Sequence, residues 1–188
     1  MHPEIVQDKP GNCPKCGMKL VNKEEIKAQI TTYTPLIIIF GLIFLTTVVV
    51  AANDARQSMF SLKTSMADFM AGFFLVFAGF KMLDLKGFAQ GYASYDLIAQ
   101  RSVTYGYVYP FIELFLGFLY LTKYDLVSTN IVTIIVMGVS GAGVIKNLMA
   151  GKKFQCACLG TFIKVPLTSV TLFEDFGMAL MAALMLLI

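Results

Sequence analysis

Charge is scarce in this sequence, histidine scarcer still and cysteine sparse, and each shortage closes off a class of function. Only 14% of the 188 residues are charged against 57% hydrophobic, and the mean hydropathy is +0.71. A soluble domain is far more polar than that. The net charge of +3 comes without a basic patch interleaved with aromatics, so nucleic acid is not an expected partner. His2 is the single histidine. No Ser-His-Asp set, phosphate-cradling glycine loop or nucleotide motif is present. This argues against hydrolysis, phosphoryl transfer and ATP-driven transport by this chain alone. Any enzymatic role is left to oxidoreductase-associated chemistry. The four cysteines fall in two close pairs, which is not a secreted disulfide framework. No internal repeat stands out.

What is present divides into a polar start and a hydrophobic remainder. The opening MHPEIVQDKPGNCPKCGMKL is rich in Pro and Gly and holds His2, Cys13 and Cys16. Cys13-Pro14-Lys15-Cys16-Gly17 is a turn that can aim two sulfurs at one point, with Gly17 free to take a left-handed backbone. That is half of a zinc or soft-metal site. His2 is the natural third ligand for zinc; for the fourth, Met18, Met1, Asp8, water or a second chain all remain open. Cu(I) needs fewer ligands and favours thiolate and thioether sulfur, which Cys13, Cys16 and Met18 supply. The competing readings are a redox CxxC, which lacks the usual strand-to-helix context, and a pair of inert surface thiols.

These residues carry a resemblance. MHPEI followed by PGNCPKCGMKL resembles the short heavy-metal-binding domain of copper and heavy-metal transport proteins. Its usual form is Y-x-C-P-M-H-P-E-I, a spacer, then P-G-x-C-P-x-C-G-M-x-L. The family pattern places a further Cys just ahead of the Met that opens this chain. The resemblance implies binding of Cu or Zn and covers residues 1–20.

After a charged linker or short amphipathic helix (21–32), apolar runs follow one another. PLIIIFGLIFLTTVVVA, within a first span at 33–53, is long enough to cross about 30 Å of hydrocarbon at about 1.5 Å per residue. A lone span in lipid must satisfy its own backbone, so helix is expected despite the β-branched residues. Further spans are expected at 66–83, 102–122, 126–145 and 168–188. Gly72 and Gly79, and the small residues from Gly138 to Gly143, suit close helix approach. Phe88, Tyr92, Tyr95 and Ala99 fall at helical spacing and suggest a short helix at the membrane interface. With the N-terminus inside, twelve Lys and Arg face the cytoplasm and three face out. The expectation is a multi-pass protein of the inner (cytoplasmic) membrane with a cytoplasmic N-terminus. Its partners are the lipid bilayer and a metal transporter or redox protein.

Cys156-Ala157-Cys158-Leu159-Gly160 precedes the last span. In an extended segment residues two apart point the same way. Both thiols could therefore form a reducible disulfide, hold a soft metal, or simply be buried at a helix end. FAQGYASYDLIAQR, YPFIELFLG and this C-x-C-x-G segment resemble the MauE/DoxX group of four-helix membrane proteins over residues 66–188, with Leu159 where Phe often precedes the Gly. The resemblance implies a redox-associated fold. MauE proteins are associated with maturation of methylamine dehydrogenase and its disulfides, and DoxX relatives with thiosulfate:quinone oxidoreduction. It makes Cys156 and Cys158 the candidate redox residues and a quinone a candidate cofactor. The expected fold is an all-α membrane protein of about five transmembrane helices, one extra plus a four-helix bundle, with a small N-terminal Cys/His metal-binding knuckle.

Charge inside a span is costly, so Glu113, Glu174 and Asp175 mark a polar centre. It is read either as a site for protons, a quinone or a metal ion, or as an internal ion pair such as Glu113 with Lys81 or Arg101. Lys81, Asp84 and Asp96 are expected nearer an interface. Met178, Met181 and Met185 share a helical face, which suits core packing better than a copper path.

Overall fold

The computed structural model describes residues 23–149, 155–156 and 165–188. Among the described residues the architecture is helical apart from one ladder of two very short strands. The order is α1 (Lys23–Arg56), α2 (Leu62–Leu83), α3 (Leu85–Tyr92), α4 (Val103–Thr122), α5 (Leu126–Met149), β1 (Gln155–Cys156), β2 (Val165–Pro166) and α6 (Leu167–Leu187). The ladder is antiparallel, with Gln155 opposite Pro166 and Cys156 opposite Val165.

Among the described residues, three helices are long and apolar enough to cross a membrane, at Thr34–Arg56, Leu62–Leu83 and Leu126–Asn147. The outward faces are apolar, with Phe111, Phe115 and Phe118 on α4 and Leu180, Leu184 and Leu187 on α6 all exposed. Such a surface belongs against lipid, where helices keep every backbone bond internal. The protein is an all-helical membrane protein.

Helix boundaries depart from the apolar runs where polar residues join a helix. The backbone is helical from Lys23, so the charged stretch expected as a linker or short amphipathic helix forms the first turns of α1. Ser61 caps α2 in an extended conformation, which starts that helix ahead of its apolar core. Past Ile145, α5 continues through Lys146 and Asn147 to Met149. Between α4 and α5 the chain reverses at Lys123 (φ 55) and Asp125 (φ 36). The Tyr124 N–H reaches back to the Leu119 carbonyl at 3.1 Å, and Lys123 ties the turn to Asp68 on α2 at 3.1 Å.

Two helix pairs form the body: α2 with α4, and α5 with α6. Small residues permit both. A Cβ on Gly117 would lie 2.9 Å from Leu75, and one on Gly141 2.9 Å from the Phe176 ring. Gly143 meets backbone rather than side chain, with the Tyr95 carbonyl 2.9 Å from its would-be Cβ. Gly72 touches Ile43 of α1 at 3.2 Å, whereas Gly79 and Gly138 have open space. Phe74 stacks on Tyr120, whose hydroxyl lies 2.7 Å from Asn130 Oδ1 and 3.0 Å from Thr133 Oγ1 on α5.

The first helix is peripheral. It runs antiparallel to α2, with Phe40 against Phe73 and Phe77 and Ile43 against Gly72. Lower down, Phe44, Val48 and Ala51 share an apolar groove with Phe60, Met66, Phe69 and Met181. Met178 and Met185 are buried in the core, as packing residues should be.

Candidate functional site

Four charged side chains from three helices meet inside this apolar body. Lys81 stands in the last turn of α2, Glu113 in the middle of α4, and Glu174 and Asp175 about two turns into α6. Each is at most 4% exposed. Lys81 Nζ lies 2.5 Å from Glu113 Oε1 and 3.5 Å from Glu174 Oε1. It also sits over two ring faces, 5.6 Å from the centroid of Phe88 and 5.4 Å from that of Tyr109. The rings add quadrupole attraction to an ammonium already held by carboxylates.

Aromatic side chains roof the cluster. Phe88 and Tyr92 lie one turn apart on α3 and stack at 5.2 Å, and Tyr92 packs on Tyr109 at 4.5 Å. This is possible because α3 comes close to α4, where a Cβ on Gly106 would lie 3.1 Å from the Ala89 backbone. Pro110 follows four residues on and has no N–H to return to the Gly106 carbonyl.

Beyond α3 the chain turns through Tyr95 and Asp96. Asp96 Oδ1 accepts from the N–H groups of Ile98 and Ala99 at 2.9 and 2.8 Å, and Asn147 Nδ2 donates to the Tyr95 carbonyl at 2.8 Å. The spacing of Phe88, Tyr92, Tyr95 and Ala99 therefore marks a real face, but a buried one. It packs into the bundle instead of spreading at the headgroups, and Tyr95 to Ala99 are turns rather than helix. Burial pushes the Tyr92 and Tyr95 phenols well above their ordinary range, reinforced by Asp96 at Tyr92 and by Asp175 at Tyr95.

The centre is not fully satisfied. Glu113 Oε2, Glu174 Oε2, Asp175 Oδ2 and the Tyr92 hydroxyl are buried without a hydrogen-bond partner. A small cavity lies among Lys81, Tyr92, Tyr109, Ser140, Glu174 and Asp175, with about 10 Å³ open to the centre of a water-sized sphere. That is the least space that holds one water, and its wall is largely apolar, with Phe88 and Tyr95 also lining it.

Of the residues singled out from the sequence, Glu113, Glu174 and Asp175 are brought together, and the ion pair joins Glu113 to Lys81. Lys81 and Asp96 are buried within the body, not at an interface. Tyr92, Tyr109 and Ser140 join the site from α3, α4 and α5; only the periodicity around Tyr92 hinted at this. The backbone of Cys156 lies in β1, in a ladder set against the head of α6, with β2 also against α1. Cys158, His2, Cys13, Cys16 and Met18 lie outside the described residues. Among the described residues no group of three His, Cys, Asp or Glu is arranged to hold a metal ion.

An all-helical membrane bundle with a buried charge centre is the class that fold and site define. Residues 58–188 match the family Methylamine utilisation protein MauE, and the chain belongs to that family. Residues 1–23 match the Heavy metal binding domain, so the protein joins a metal-binding segment to a MauE membrane domain. No curated protein and no solved structure matches the chain. The donors offered in the N-terminal segment, two thiols with an imidazole and a thioether, suit a soft or borderline cation.

Proposed function

We propose that the protein captures a soft heavy-metal ion, Cu or Zn, at the membrane surface and keeps it beside a redox-associated membrane domain. Cys13 and Cys16 are the principal ligands, completed by His2 and Met18. The metal is cargo, passed to or taken from a metal transporter or a redox protein in the inner membrane, with the N-terminus in the cytoplasm. The observation that carries this reading is the presence of a heavy-metal-binding match at residues 1–23 and a MauE match at 58–188 on one chain. Helix directions support a common side for both thiol pairs. α1 is antiparallel to α2, and Met181 shares the groove formed by the second half of α1, so α6 begins near the end where α1 begins.

Metal analysis of the full chain purified under reducing conditions tests the reading. About one Cu or Zn per chain is expected, falling at least tenfold in Cys13→Ser/Cys16→Ser. A metal-free protein, or content unchanged by those substitutions, overturns it.

A second reading rests on the ladder at Cys156. A strand packed on α6 brings the backbone of Cys156 to the end of the bundle nearest the charge centre, which supports this reading. In this reading Cys156 and Cys158 form a disulfide while a quinone takes up two electrons and two protons to become a quinol. Thiol titration before and after addition of a soluble quinone checks it. Loss of two thiols in the wild type and none in Cys156→Ser/Cys158→Ser is expected.

A further inference from the structure

Among the described residues the charge centre does not balance. Lys81 offsets one carboxylate, and its 2.5 Å contact assigns that role to Glu113. Glu174 and Asp175 remain, next to each other in sequence and 3% and 4% exposed. An isolated carboxylate in such surroundings costs several kcal/mol, more than a fold tolerates without a compensating positive charge.

Every element packed on the centre can be searched for that charge. α2 presents Lys81; α3 presents Phe88 and Tyr92; the following turn presents Tyr95 and Asp96. From α4 come Tyr105, Tyr109 and Glu113, and from α5 Ser140. Among the described residues facing the centre there is no second cation. A metal ion is a poor answer, because the described carboxylates are not arranged as a metal site and the Lys81 ammonium lines the same cavity.

The geometry points to a proton-binding centre in which Glu174 and Asp175 carry exchangeable protons at neutral pH. A second observation, independent of the carboxylates, is the Tyr92 hydroxyl. Tyr92 is 2% exposed, its hydroxyl has Ser140 as its neighbour but makes no hydrogen bond within 3.5 Å, and it lines the water-sized cavity that Glu174 and Asp175 also line. One water there would join Tyr92 and Ser140 to the two acids and relay a proton between them. Loading moves a proton from water to a carboxylate oxygen and unloading returns it; no electron moves. The site lies about 10 Å along α6 from its start, on the membrane side of the Cys156 ladder. It rests on neither reading of the thiols, since it needs neither metal nor disulfide.

Infrared spectroscopy of the full chain in lipid nanodiscs reads this directly. The wild type at neutral pH should show protonated-carboxyl C=O absorption that shifts on transfer to heavy water. Glu174→Gln and Asp175→Asn should each lose one component, while Cys13→Ser/Cys16→Ser keeps both. No protonated-carboxyl absorption in the wild type overturns the assignment, as does absorption unchanged in both carboxyl variants. Loss of the absorption on adding sodium chloride at fixed pH would hand the site to an inorganic cation and overturn it equally. If the variants do not fold, the wild type alone decides, because absorption that does not move in heavy water excludes exchange.

Discussion

Replacing Lys81 with Met keeps most of the volume of the side chain and removes its charge. In the native protein the ammonium touches Glu113 at 2.5 Å and Glu174 at 3.5 Å and lies over two rings, all away from solvent. Removing one partner of a buried pair costs about 3–5 kcal/mol, because the other charge is left uncompensated. Here Glu113 is left uncompensated and Glu174 loses its donor at 3.5 Å, so the upper end of that range is expected for Lys81→Met. Glu113→Gln added to it removes the nearest stranded carboxylate and should recover about 1–3 kcal/mol as a coupling between contacting residues. Reversible unfolding in mixed micelles, followed by helical circular dichroism, measures all three variants against wild type. A loss below about 1 kcal/mol in Lys81→Met, a value typical of exposed pairs, would refute the view that this ion pair organises the bundle.

Other outcomes follow from the packing and the turns. Gly143→Ala drives a methyl to 2.9 Å from the Tyr95 carbonyl and 3.1 Å from Leu97 N, backbone atoms that cannot swing aside. It should cost about 1–3 kcal/mol, whereas Gly138→Ala, with open space, should be neutral or stabilising by up to about 1 kcal/mol; thermal unfolding of the pair separates them. Tyr120→Phe removes the hydroxyl shared with Asn130 and Thr133 between α4 and α5, and a loss of about 1 kcal/mol is expected in the same micelle assay. Asp125 accepts from the Ser128 N–H at 3.3 Å, and hydrogen bonds from Ser128 hold its carboxyl below the usual range. A depressed folded value means stability present above the unfolded value and lost as pH falls through the folded one. Asp125→Asn, which tolerates the positive φ of this turn, should therefore melt lower than wild type at neutral pH and equal it once acid has protonated the carboxylate, as paired thermal scans at two pH values would show.

The membrane helices were readable because a bilayer asks for length and apolarity, and the runs around Ile38, Phe74 and Ile135 supply both. Their ends were less so. Leu62 to Ser65 and Lys146 to Met149 are too polar or too short to register as span, yet their backbone is helical, with Ser61 extended at the N-cap position and Asn147 bound to the Tyr95 carbonyl. The likeness of the opening motif to a heavy-metal-binding domain was legible because thiols at fixed spacing between Pro and Gly are a local signal. Charge centres are not local. Glu113 announced itself as an acid in mid-span, and its partner could be narrowed to Lys81 or Arg101. Tyr92, Tyr109 and Ser140 come from three different helices, and no spacing within a helix reveals that they face one cavity. Lys81 and Asp96 looked peripheral because they stand near the ends of their segments, but α3 and the turn after it fold over those ends and bury them.

The seam between α1 and α2 has its own consequence. Lys81, Tyr92, Tyr109, Glu113, Ser140, Glu174 and Asp175 all come from α2 to α6, and α1 contributes none of them. It is fastened mainly by phenylalanines along one flank, while Ile37, Phe44, Leu45 and Val49 look outward into lipid. Tether and charge centre thus share no residue, and they communicate through the apolar core, where Leu36 and Ile43 of α1 join the cluster that holds Phe88, Tyr92 and Tyr109.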